Sequence, residues 1–340
     1  MTYPTGKLPA EHLARLMARY APSDERVILG PGIGHDAAAI TFGDRCLVAK
    51  SDPITFATDE IGWYAVHINA NDVACLGATP RWFLATLLLP EHHTDTALVD
   101  AIFDQLVSAC EQLNVGLVGG HTEITYGFDR PIVVGCMLGE VAAGRLVRSD
   151  GARPGDVLLL TKGIAVEGTA LLAREMPNPL EDIDPTLLER CRNFLHDPGI
   201  SVVRDATVAT AAGDVHAMHD PTEGGLSTGL WEMAETTQVG MVIDEPAIPI
   251  FAETETLCAH LGLNPLGLIA SGALLMAVAP ASAAAIVAAL EGEGIAATRI
   301  GQVTTRARHI LLRNGAAERP LPRFARDEIV SALTAQTGNT

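Results

Sequence analysis

Helical and strand-like hydrophobic periods alternate along the whole chain, which predicts a fold of the α/β or α+β class. Apolar residues recur at helical spacing between Leu13 and Tyr20 and predict an amphipathic helix near the N-terminus. A longer helix is predicted from about Glu60 to Leu76, where Gly77 follows. Periodicity alone does not decide between the two fold classes, so both stay open.

Apolar runs of strand length lie between the predicted helices in both halves of the chain. They read RVIL, AAAI, CLVAK, WFLATLLL, GLVGG, PIVVGCML, DVLLLT, VHAMH, VGMVID and LLMAVA. The most apolar stretch, 273–290, contains Pro280 and therefore predicts a strand, a turn and a buried helix rather than a membrane span. The turn-rich segment Arg148–Asp156 predicts a boundary that divides the chain into domains 1–150 and 151–340.

Composition narrows the class of protein. With 340 residues, 48% of them hydrophobic, the chain is long enough for two domains that each bury a core. The formal net charge of -18 disfavours nucleic acid and anionic membranes as partners, and an anionic substrate would need metal ions to screen the acidic groups. No two cysteines have a CxxC spacing, and the N-terminus lacks a signal-peptide pattern, so we expect a cytoplasmic protein with reduced thiols.

The segment GPGIGHDAAAI carries the first candidate chemistry. Gly30, Gly32 and Gly34 permit unusual backbone angles and a close approach of the backbone to a ligand, and Asp36 follows them. The spacing matches neither the dinucleotide-binding nor the P-loop motif. A tight turn between two strands would explain the same glycines, so both interpretations stay open.

Two aspartates follow in the next 40 residues. Asp52, in SDPITF, is interpreted as a carboxylate at the end of a strand, although an aspartate before proline is also common in turns. Asp72 lies four residues from both Ile68 and Leu76 and so falls on the apolar side of its predicted helix. A buried carboxylate needs a metal ion or a hydrogen-bond network, whereas one at the edge of the apolar stripe would reach water.

Two further segments place polar residues after predicted strands. In VGGHTEITYG, Gly120, His121 and Thr122 offer donors to a phosphate, and Glu123 can bind a cation. In MHDPTEGGL, Asp220 ends a strand before a helix N-terminus, an arrangement that suits an anion together with its cation. A zinc or iron site at His216 and His219 is disfavoured, because a three-residue spacing puts the two side chains on opposite faces of a strand.

The ordered set GPGIGHDAAAI, SDPI, IGWYAVHINANDVACLGATP, GGHTE, GARPGD and HDPTEGGL resembles the superfamily of aminoimidazole ribonucleotide (AIR) synthase and the hydrogenase maturation protein HypE. The resemblance covers almost the whole chain. It implies a PurM-like two-domain fold, with an N-terminal sheet that pairs across a homodimer and a C-terminal α/β domain. It also implies that ATP and Mg²⁺ are bound, and that an oxygen of a small-molecule acceptor attacks the γ-phosphate.

The resemblance also implies roles for individual residues. The implied metal ligands are Asp36, Asp52, Asp72, Glu123 and Asp220. The implied catalytic residues are Asp72, Glu123 and Asp220. The implied nucleotide-binding residues are Gly30, Gly32, Gly34, Asp36, Asp52, Asn71, Gly120, His121 and Thr122.

Three departures from HypE-type proteins concern the acceptor. No cysteine follows Cys258, the glycine-Asp-Thr-Lys motif of HypE is replaced by Gly120–Glu123, and its Ser-Glu-Gly motif by Ala270–Gly272. We therefore expect an acceptor other than that of HypE. The alternatives are a true HypE or AIR synthase, and a dimer that binds nucleotide without turnover.

Overall fold

The computed structural model of the protein describes residues 8, 10–17, 19, 24–32, 34–176 and 180–337. The first helix, α1, spans Ala10–Met17, as the periodicity predicts; Tyr20 lies outside the described residues. The chain divides into two compact units. The N-terminal unit comprises Asp24–Gly30 and Asp36–Leu146, and the C-terminal unit comprises the described parts of Met1–Ser23, Pro31–His35 and Val147–Thr340. The exact boundary at residue 150 stays a prediction.

The N-terminal unit is a six-stranded sheet whose helices pack on one face. Its strands are β1 (Val27–Leu29), β2 (Ala38–Phe42), β3 (Arg45–Ile54), β4 (Thr79–Pro90), β5 (Gly116–Thr125) and β6 (Ile132–Ala142), and its helices are α2 (Ile61–Cys75) and α3 (Thr96–Gln112). The spatial order is β1-β2-β3-β6-β4-β5, so β5 forms one edge. β5 runs parallel to β4, and the other neighbours are antiparallel.

The predicted span of helix α2 is confirmed, but the helix lacks the solvent-exposed face that an amphipathic helix would have. It is buried at almost every position, polar residues Asn69, Asn71 and Asp72 included. One side of it packs against the sheet, where Gly135 and Gly139 of β6 leave room for Asn69 and Val73. A single apolar stripe therefore describes α2 poorly, because the helix is enclosed on all sides and its polar residues must find partners within the protein.

The C-terminal unit has a seven-stranded sheet. Its strands are β7 (Val157–Thr161), β8 (Val215–His219), β9 (Gly240–Asp244), β10 (Leu275–Val278), β11 (Ala297–Thr304), β12 (Ile310–Asn314) and β13 (Ala317–Pro320), in the order β13-β12-β9-β11-β7-β10-β8. Its helices after α1 are α4 (Val166–Glu175), α5 (Pro185–Asn193), α6 (Val203–Ala212), α7 (Gly225–Thr237), α8 (Ala252–Leu261), α9 (Ala283–Gly292) and α10 (Glu328–Thr337). Most neighbouring strands in both sheets are antiparallel, which places this mixed fold nearer to α+β.

The central strands of the C-terminal unit explain its most apolar sequences. β7 and β10 are adjacent and buried at every position, so their sequences are continuous apolar runs rather than alternating ones. The apolar stretch 273–290 forms β10, a turn and the start of α9, as predicted. Among the described residues, no helix combines the length and the apolar character needed to span a bilayer.

Candidate functional site

Asp52 lies within strand β3, and the prediction that it ends a strand is wrong. Its backbone pairs with Gly135 of β6, and the pairing continues through Pro53 to Ile54. Proline is tolerated here because β2 pairs with β3 only from Arg45 to Ala49. Beyond Ala49 no strand among the described residues pairs with the second edge of β3, so a missing N–H group there costs no ladder hydrogen bond.

The side chain of Asn69, on α2, binds the backbone of Asp52 next to Gly135 of β6. Its Oδ1 accepts a hydrogen bond from the Asp52 backbone N–H at 2.8 Å, and its Nδ2 donates to the Asp52 carbonyl at 3.3 Å. Nδ2 also donates to the Ala65 carbonyl at 2.8 Å. Gly135 makes room for this amide, since a Cβ atom there would lie 2.3 Å from Nδ2. The Asn69 amide therefore fixes the position of the Asp52 backbone.

Lys50 links Asp52 of β3 to Asp72 of α2 on the helix-covered face of the sheet. It lies two residues before Asp52 on β3, so both side chains point towards α2. Its Nζ is 3.2 Å from Oδ2 of Asp52 and 3.3 Å from Oδ2 of Asp72. Sequence analysis missed Lys50, although its two-residue spacing from Asp52 within a strand was a usable signal.

The pKa of Lys50 shows that the charge of Asp36 also acts on this group. Burial acts to lower the pKa of Lys50, but the charges of Asp72, Asp52 and Asp36 outweigh it and raise that pKa above its ordinary value. Asp36 and Asp72 are both buried, and Asn71 is buried beside Asp72 on α2. The structure thus brings together three of the five predicted metal ligands, here called the carboxylate cluster: Asp36, Asp52 and Asp72.

Glu123 lies apart from the carboxylate cluster within the N-terminal unit. β5 continues through the paired glycines to Thr125, so the predicted strand end at those glycines is wrong. Glu123 lies opposite Leu88 of β4, which faces away from the helices, whereas Asp52 lies opposite the helix-facing Gly135. Three strand spacings separate β3 from β5, about 14 Å. Glu123 and the cluster are therefore on opposite faces of one sheet.

The exposed face of β5 forms a row of polar side chains. His121 Nε2 is 3.0 Å from Glu123 Oε2, and Thr125 Oγ1 donates to Glu123 Oε1 at 3.2 Å. Thr122 points to the other face of the strand. Gly120 has φ 148, and a Cβ atom there would lie 1.8 Å from the Ala85 carbonyl oxygen, so close pairing of β4 and β5 requires glycine.

The glycine-rich segment is divided between the two units. Gly30 follows β1 in the N-terminal unit, while Gly32 and Gly34 belong to the C-terminal unit. Gly34 has φ +70, and its Cβ atom would lie 2.4 Å from Thr236 Oγ1 and 3.0 Å from the Glu232 carbonyl oxygen. Close packing against α7 therefore accounts for Gly34, and its nucleotide-binding role stays a prediction.

Asp220 is fully buried in the C-terminal unit between β8 and α7. The predicted anion position at the start of α7 is partly filled by the chain itself, because the Gly224 N–H donates to Asp327 Oδ2 at 2.5 Å. Asp327 Oδ1 also accepts from the Ile329 N–H at 2.7 Å and from the Ile269 N–H at 3.3 Å. Burial raises the pKa of Asp327 to about 6 against these lowering hydrogen bonds.

Glu167, in the first turn of α4, is a second residue that sequence analysis missed. Burial raises its pKa to about 8; Ser271 lowers it by hydrogen bonding, and the charges of Asp327 and Asp220 raise it further. Glu167 is therefore largely protonated at neutral pH and can donate a proton. The signal in the sequence was a glutamate inside the apolar run AVEGTALL, the same reasoning that singled out Asp72.

The two histidines near Asp220 bind different carboxylates. His216 Nδ1 lies 2.9 Å from both carboxylate oxygens of Asp156, and His219 Nε2 lies 3.1 Å from Glu232 Oε2. A three-residue spacing on β8 places the two side chains on opposite faces of the strand, as expected, so each contacts a different carboxylate.

The carboxylate cluster has the chemistry of a cation site. Its side-chain donors are oxygen atoms, which Mg²⁺ prefers. The Lys50 ammonium already lies between two of the carboxylates as a positive charge. These residues of the N-terminal unit therefore fit the Mg²⁺ that the resemblance implies.

Comparison with known proteins agrees with the resemblance seen in the sequence. Residues 34–141 match the N-terminal domain of the family described as AIR synthase related protein, and residues 153–313 match its C-terminal domain. The carbamoyl dehydratase HypE of Cupriavidus necator is 33% identical over 288 residues, covering 82% of this chain and 79% of that protein.

Two further relatives extend the comparison. The crystal structure of the hydrogenase maturation protein HypE in complex with ATP superposes with a TM-score of 0.70 at 26% identity, covering 95% of this chain and 96% of that one. The thiamine-monophosphate kinase of Pyrococcus horikoshii is 30% identical over 236 residues, covering 66% of this chain and 70% of that protein. With both domains matched, the chain belongs to the AIR synthase related protein family, within which it is HypE-like.

Proposed function

We propose that this protein is a Mg²⁺-dependent ATP-using enzyme that transfers the γ-phosphoryl group to an oxygen of a small-molecule acceptor. The observation that carries the proposal is the gathering of Asp36, Asp52 and Asp72 around Lys50 in one unit. Support also comes from two relatives that are named as a dehydratase and a kinase, and from a similar HypE structure in complex with ATP.

The residues of the cluster would act mainly by positioning and by electrostatics. When bound, Mg²⁺ supplies positive charge that neutralises the phosphate oxygens. Asp52, held by Asn69, and Asp72, held on the enclosed helix α2, offer carboxylate oxygens in fixed positions. Fixed ligands need no rearrangement when charge develops during transfer, which favours the transition state.

We also propose that the protein works as a cytoplasmic homodimer built on the N-terminal sheet. β5 is an edge strand, and Val118, Ile124 and Tyr126 on and beside it are 56%, 58% and 87% exposed. An unpaired apolar edge favours covering by a second chain. In such a dimer, the residues Glu123, His121 and Thr122 would act where the two chains meet, and not at the carboxylate cluster of their own chain. The free thiols of all six cysteines fit a reducing compartment.

Glu167 and Asp220 are the residues of the C-terminal unit that we assign to catalysis. Glu167 is a buried acid that is neutral near pH 7, and such a group can deliver a proton to a leaving oxygen. Ser271 stands beside it, in the segment that differs from HypE-type proteins. This difference supports an acceptor distinct from that of HypE, with a true HypE or AIR synthase as the alternatives.

A melting experiment with and without chelator tests the proposal. ATP with Mg²⁺ is expected to raise the melting temperature, whereas ATP in EDTA is expected to give little or no increase, because the cluster repels a bare triphosphate. Equal stabilisation in both conditions would contradict a metal-dependent site. Hydrolysis or transfer measured with candidate acceptors then separates an enzyme from a dimer that binds nucleotide without turnover.

A further inference from the structure

Lys162 is a buried cation of the C-terminal unit that has no role in the proposed function so far. It directly follows β7, and its side chain is only 10% exposed. Burial lowers the pKa of Lys162, whereas the charge of Asp205 and a hydrogen bond with it act to raise that pKa. A buried cation is costly unless protein groups contact it, so the contacts of Lys162 show what it holds in place.

The Lys162 ammonium ties the turn after β7 to a distant segment of the chain. Its Nζ donates to the Ser201 carbonyl at 2.6 Å and to the Gly199 carbonyl at 3.4 Å, and it lies 3.5 Å from Oδ1 of Asp205. The same Oδ1 atom accepts a hydrogen bond from Thr161 Oγ1 at 2.6 Å. One ammonium thus fixes two backbone carbonyls that lie 37 and 39 residues further along the chain.

The Gly199 carbonyl packs against the segment that contacts Glu167. It lies 3.1 Å from the position of a Cβ atom on Gly272, which has φ +108, so this approach requires glycine. The carbonyl of the preceding residue, Ser271, accepts a hydrogen bond from the Glu167 N–H at 3.1 Å. Val166 also packs on Gly272, with its Cβ atom 3.0 Å from the same position. The Gly199 carbonyl and the first turn of α4 therefore meet at Gly272.

Lys162 and Glu167 are also joined by the turn between β7 and α4, whose backbone is constrained. Lys162 and Ala165 have φ values of 55 and 58, which are uncommon for residues other than glycine. The Lys162 N–H donates to the Ala296 carbonyl at 2.7 Å and so helps to hold this conformation. Such conformations persist where the surrounding structure fixes them, and they are frequent at active sites.

The carboxyl group of Glu167 depends on its enclosure. Glu167 is 3% exposed, and its Oε2 atom has no hydrogen-bond partner among the described residues. Water that reached this atom would stabilise the carboxylate more than the neutral acid. Burial therefore keeps the proton on Glu167 together with the charges of Asp327 and Asp220, and against the hydrogen bonds of Ser271, which favour loss of the proton.

We propose that Lys162 is a positioning residue for Glu167: its ammonium holds the Gly199 and Ser201 carbonyls in place against Gly272 and so keeps water from the Glu167 carboxyl group. The inference rests on the proposed function in treating Glu167 as a proton donor, and it deepens that function by naming the group that keeps the donor protonated. Burial is the largest influence on the pKa of Glu167, so Lys162 acts by excluding water rather than by its charge.

The test measures the pKa of Glu167 by carbon NMR of protein labelled at the glutamate carboxyl carbons, without ATP or acceptor. Glu167→Gln identifies the signal by its disappearance. Lys162→Met keeps an apolar chain of similar length but cannot bind the two carbonyls, so the pKa of Glu167 is expected to fall by about one pH unit or more, towards 4.5. Loss of a positive charge alone would instead raise this pKa, so the direction of the shift separates the two effects.

The matched control is Arg204→Met, which removes a cation from α6, the helix that also carries Asp205. Arg204 pairs with Glu293, and its side chain is 65% exposed, so the pKa of Glu167 is expected to stay at the wild-type value. If Lys162→Met does not fold, Lys162→Gln takes its place. Its amide is on a shorter chain that cannot reach both carbonyls, so the same fall is expected, and an unchanged pKa contradicts the inference.

An unchanged or higher pKa of Glu167 in Lys162→Met would overturn the inference even if the variant melts at a lower temperature, because a merely structural lysine would affect stability alone. An equal fall in Arg204→Met would also overturn it. The outcome is separate from that of the proposed function: a lower pKa in a protein that transfers no phosphoryl group would support the positioning role and contradict the enzyme. With a known acceptor, the basic limb of the kcat profile should move to lower pH in Lys162→Met, while the KM for ATP stays unchanged.

Discussion

Asn69 forms with Asp52 the two backbone hydrogen bonds that a neighbouring β-strand would otherwise form. A side-chain amide has one acceptor and two donors, and here all of these are engaged, because Nδ2 also donates to the Ala65 carbonyl. The carboxylate of Asp52 is thereby held on the same side of the sheet as Lys50 and Asp72. A helix residue thus holds the β3 backbone in place at the candidate site.

Asn69→Ala is expected to weaken both the fold and the site. It leaves the Asp52 N–H and carbonyl without their partner, which costs about 1–3 kcal/mol of unfolding free energy. Urea unfolding measures this cost, and titration with MgATP measures the accompanying loss of affinity. Asn193→Ala, at an exposed position of α5, serves as the control and should change neither quantity. Unchanged stability in Asn69→Ala would contradict a structural role for the amide.

Asp72→Asn is expected to abolish phosphoryl transfer and also to reduce stability. Loss of a metal ligand lowers the rate by roughly 100-fold or more, by analogy with other electrostatic contacts to a transition state. The substitution also breaks a largely buried ion pair with Lys50, and we expect a cost of about 1–3 kcal/mol.

Melting and Mg²⁺-dependent ATP binding can be followed for Asp72→Asn before an acceptor is known. Asp52→Asn is the comparison, since Asp52 is 36% exposed and its loss should affect binding more than stability. Retained Mg²⁺-dependent affinity in Asp72→Asn would remove Asp72 from the site.

The buried carboxyl group of Glu167 is expected to make stability depend on pH. Its pKa is about 8 in the folded protein against an ordinary value of 4.5, so the folded state binds the proton more strongly than the unfolded state. The resulting stabilisation is complete below about pH 4.5 and is lost as pH rises towards 8, with a slope of up to about 1.4 kcal/mol per pH unit.

With Glu167→Gln, the free energy of unfolding should depend less on pH between pH 5 and 8, as measured by urea unfolding. Glu189→Gln, at a side chain 76% exposed, should leave the profile unchanged. A variant profile parallel to that of wild type would show that Glu167 does not titrate in this range.

Ile124→Glu is expected to dissociate the proposed dimer. Ile124 lies on the edge strand β5, and its side chain is 58% exposed. A charge at an edge that a second chain covers should weaken association by roughly 100-fold or more. Sedimentation at micromolar concentration measures it, and Val107→Glu, at an exposed position of α3, is the control. A wild-type chain that is monomeric and active would contradict the dimer.

The sequence predicted the elements well because most of them have a clear hydrophobic period. The span of α2 and the reading of the stretch 273–290 as strand, turn and helix are confirmed by the structure. The errors arose where strands continue past local turn signals. Pro53 sits on an edge without a partner, and Gly120 allows close strand pairing, so neither residue ends its strand.

The candidate site was predictable only in part. Asp36, Asp52 and Asp72 could be grouped by motif, but the face of the sheet occupied by Glu123 depends on register, which requires strand pairing. Lys50 ends the apolar run CLVAK and Glu167 stands inside AVEGTALL, and neither run reveals what surrounds its polar residue in the fold. Burial raises the pKa of Glu167, and the neighbouring aspartates raise that of Lys50, so both shifts depend on contacts made in three dimensions.

The enclosure of α2 also determines how the N-terminal unit can fluctuate. Amide hydrogens from Asn69 to Val73 are covered on all sides, so their exchange with deuterium requires the whole unit to open. Within the part of the chain that the structure describes, amides at the outer edge of β5 have no strand beside them and can exchange through small local openings. The carboxylate cluster is therefore attached to the slowest-exchanging part of the unit, and β5 is the segment whose exchange should slow when a second chain covers it.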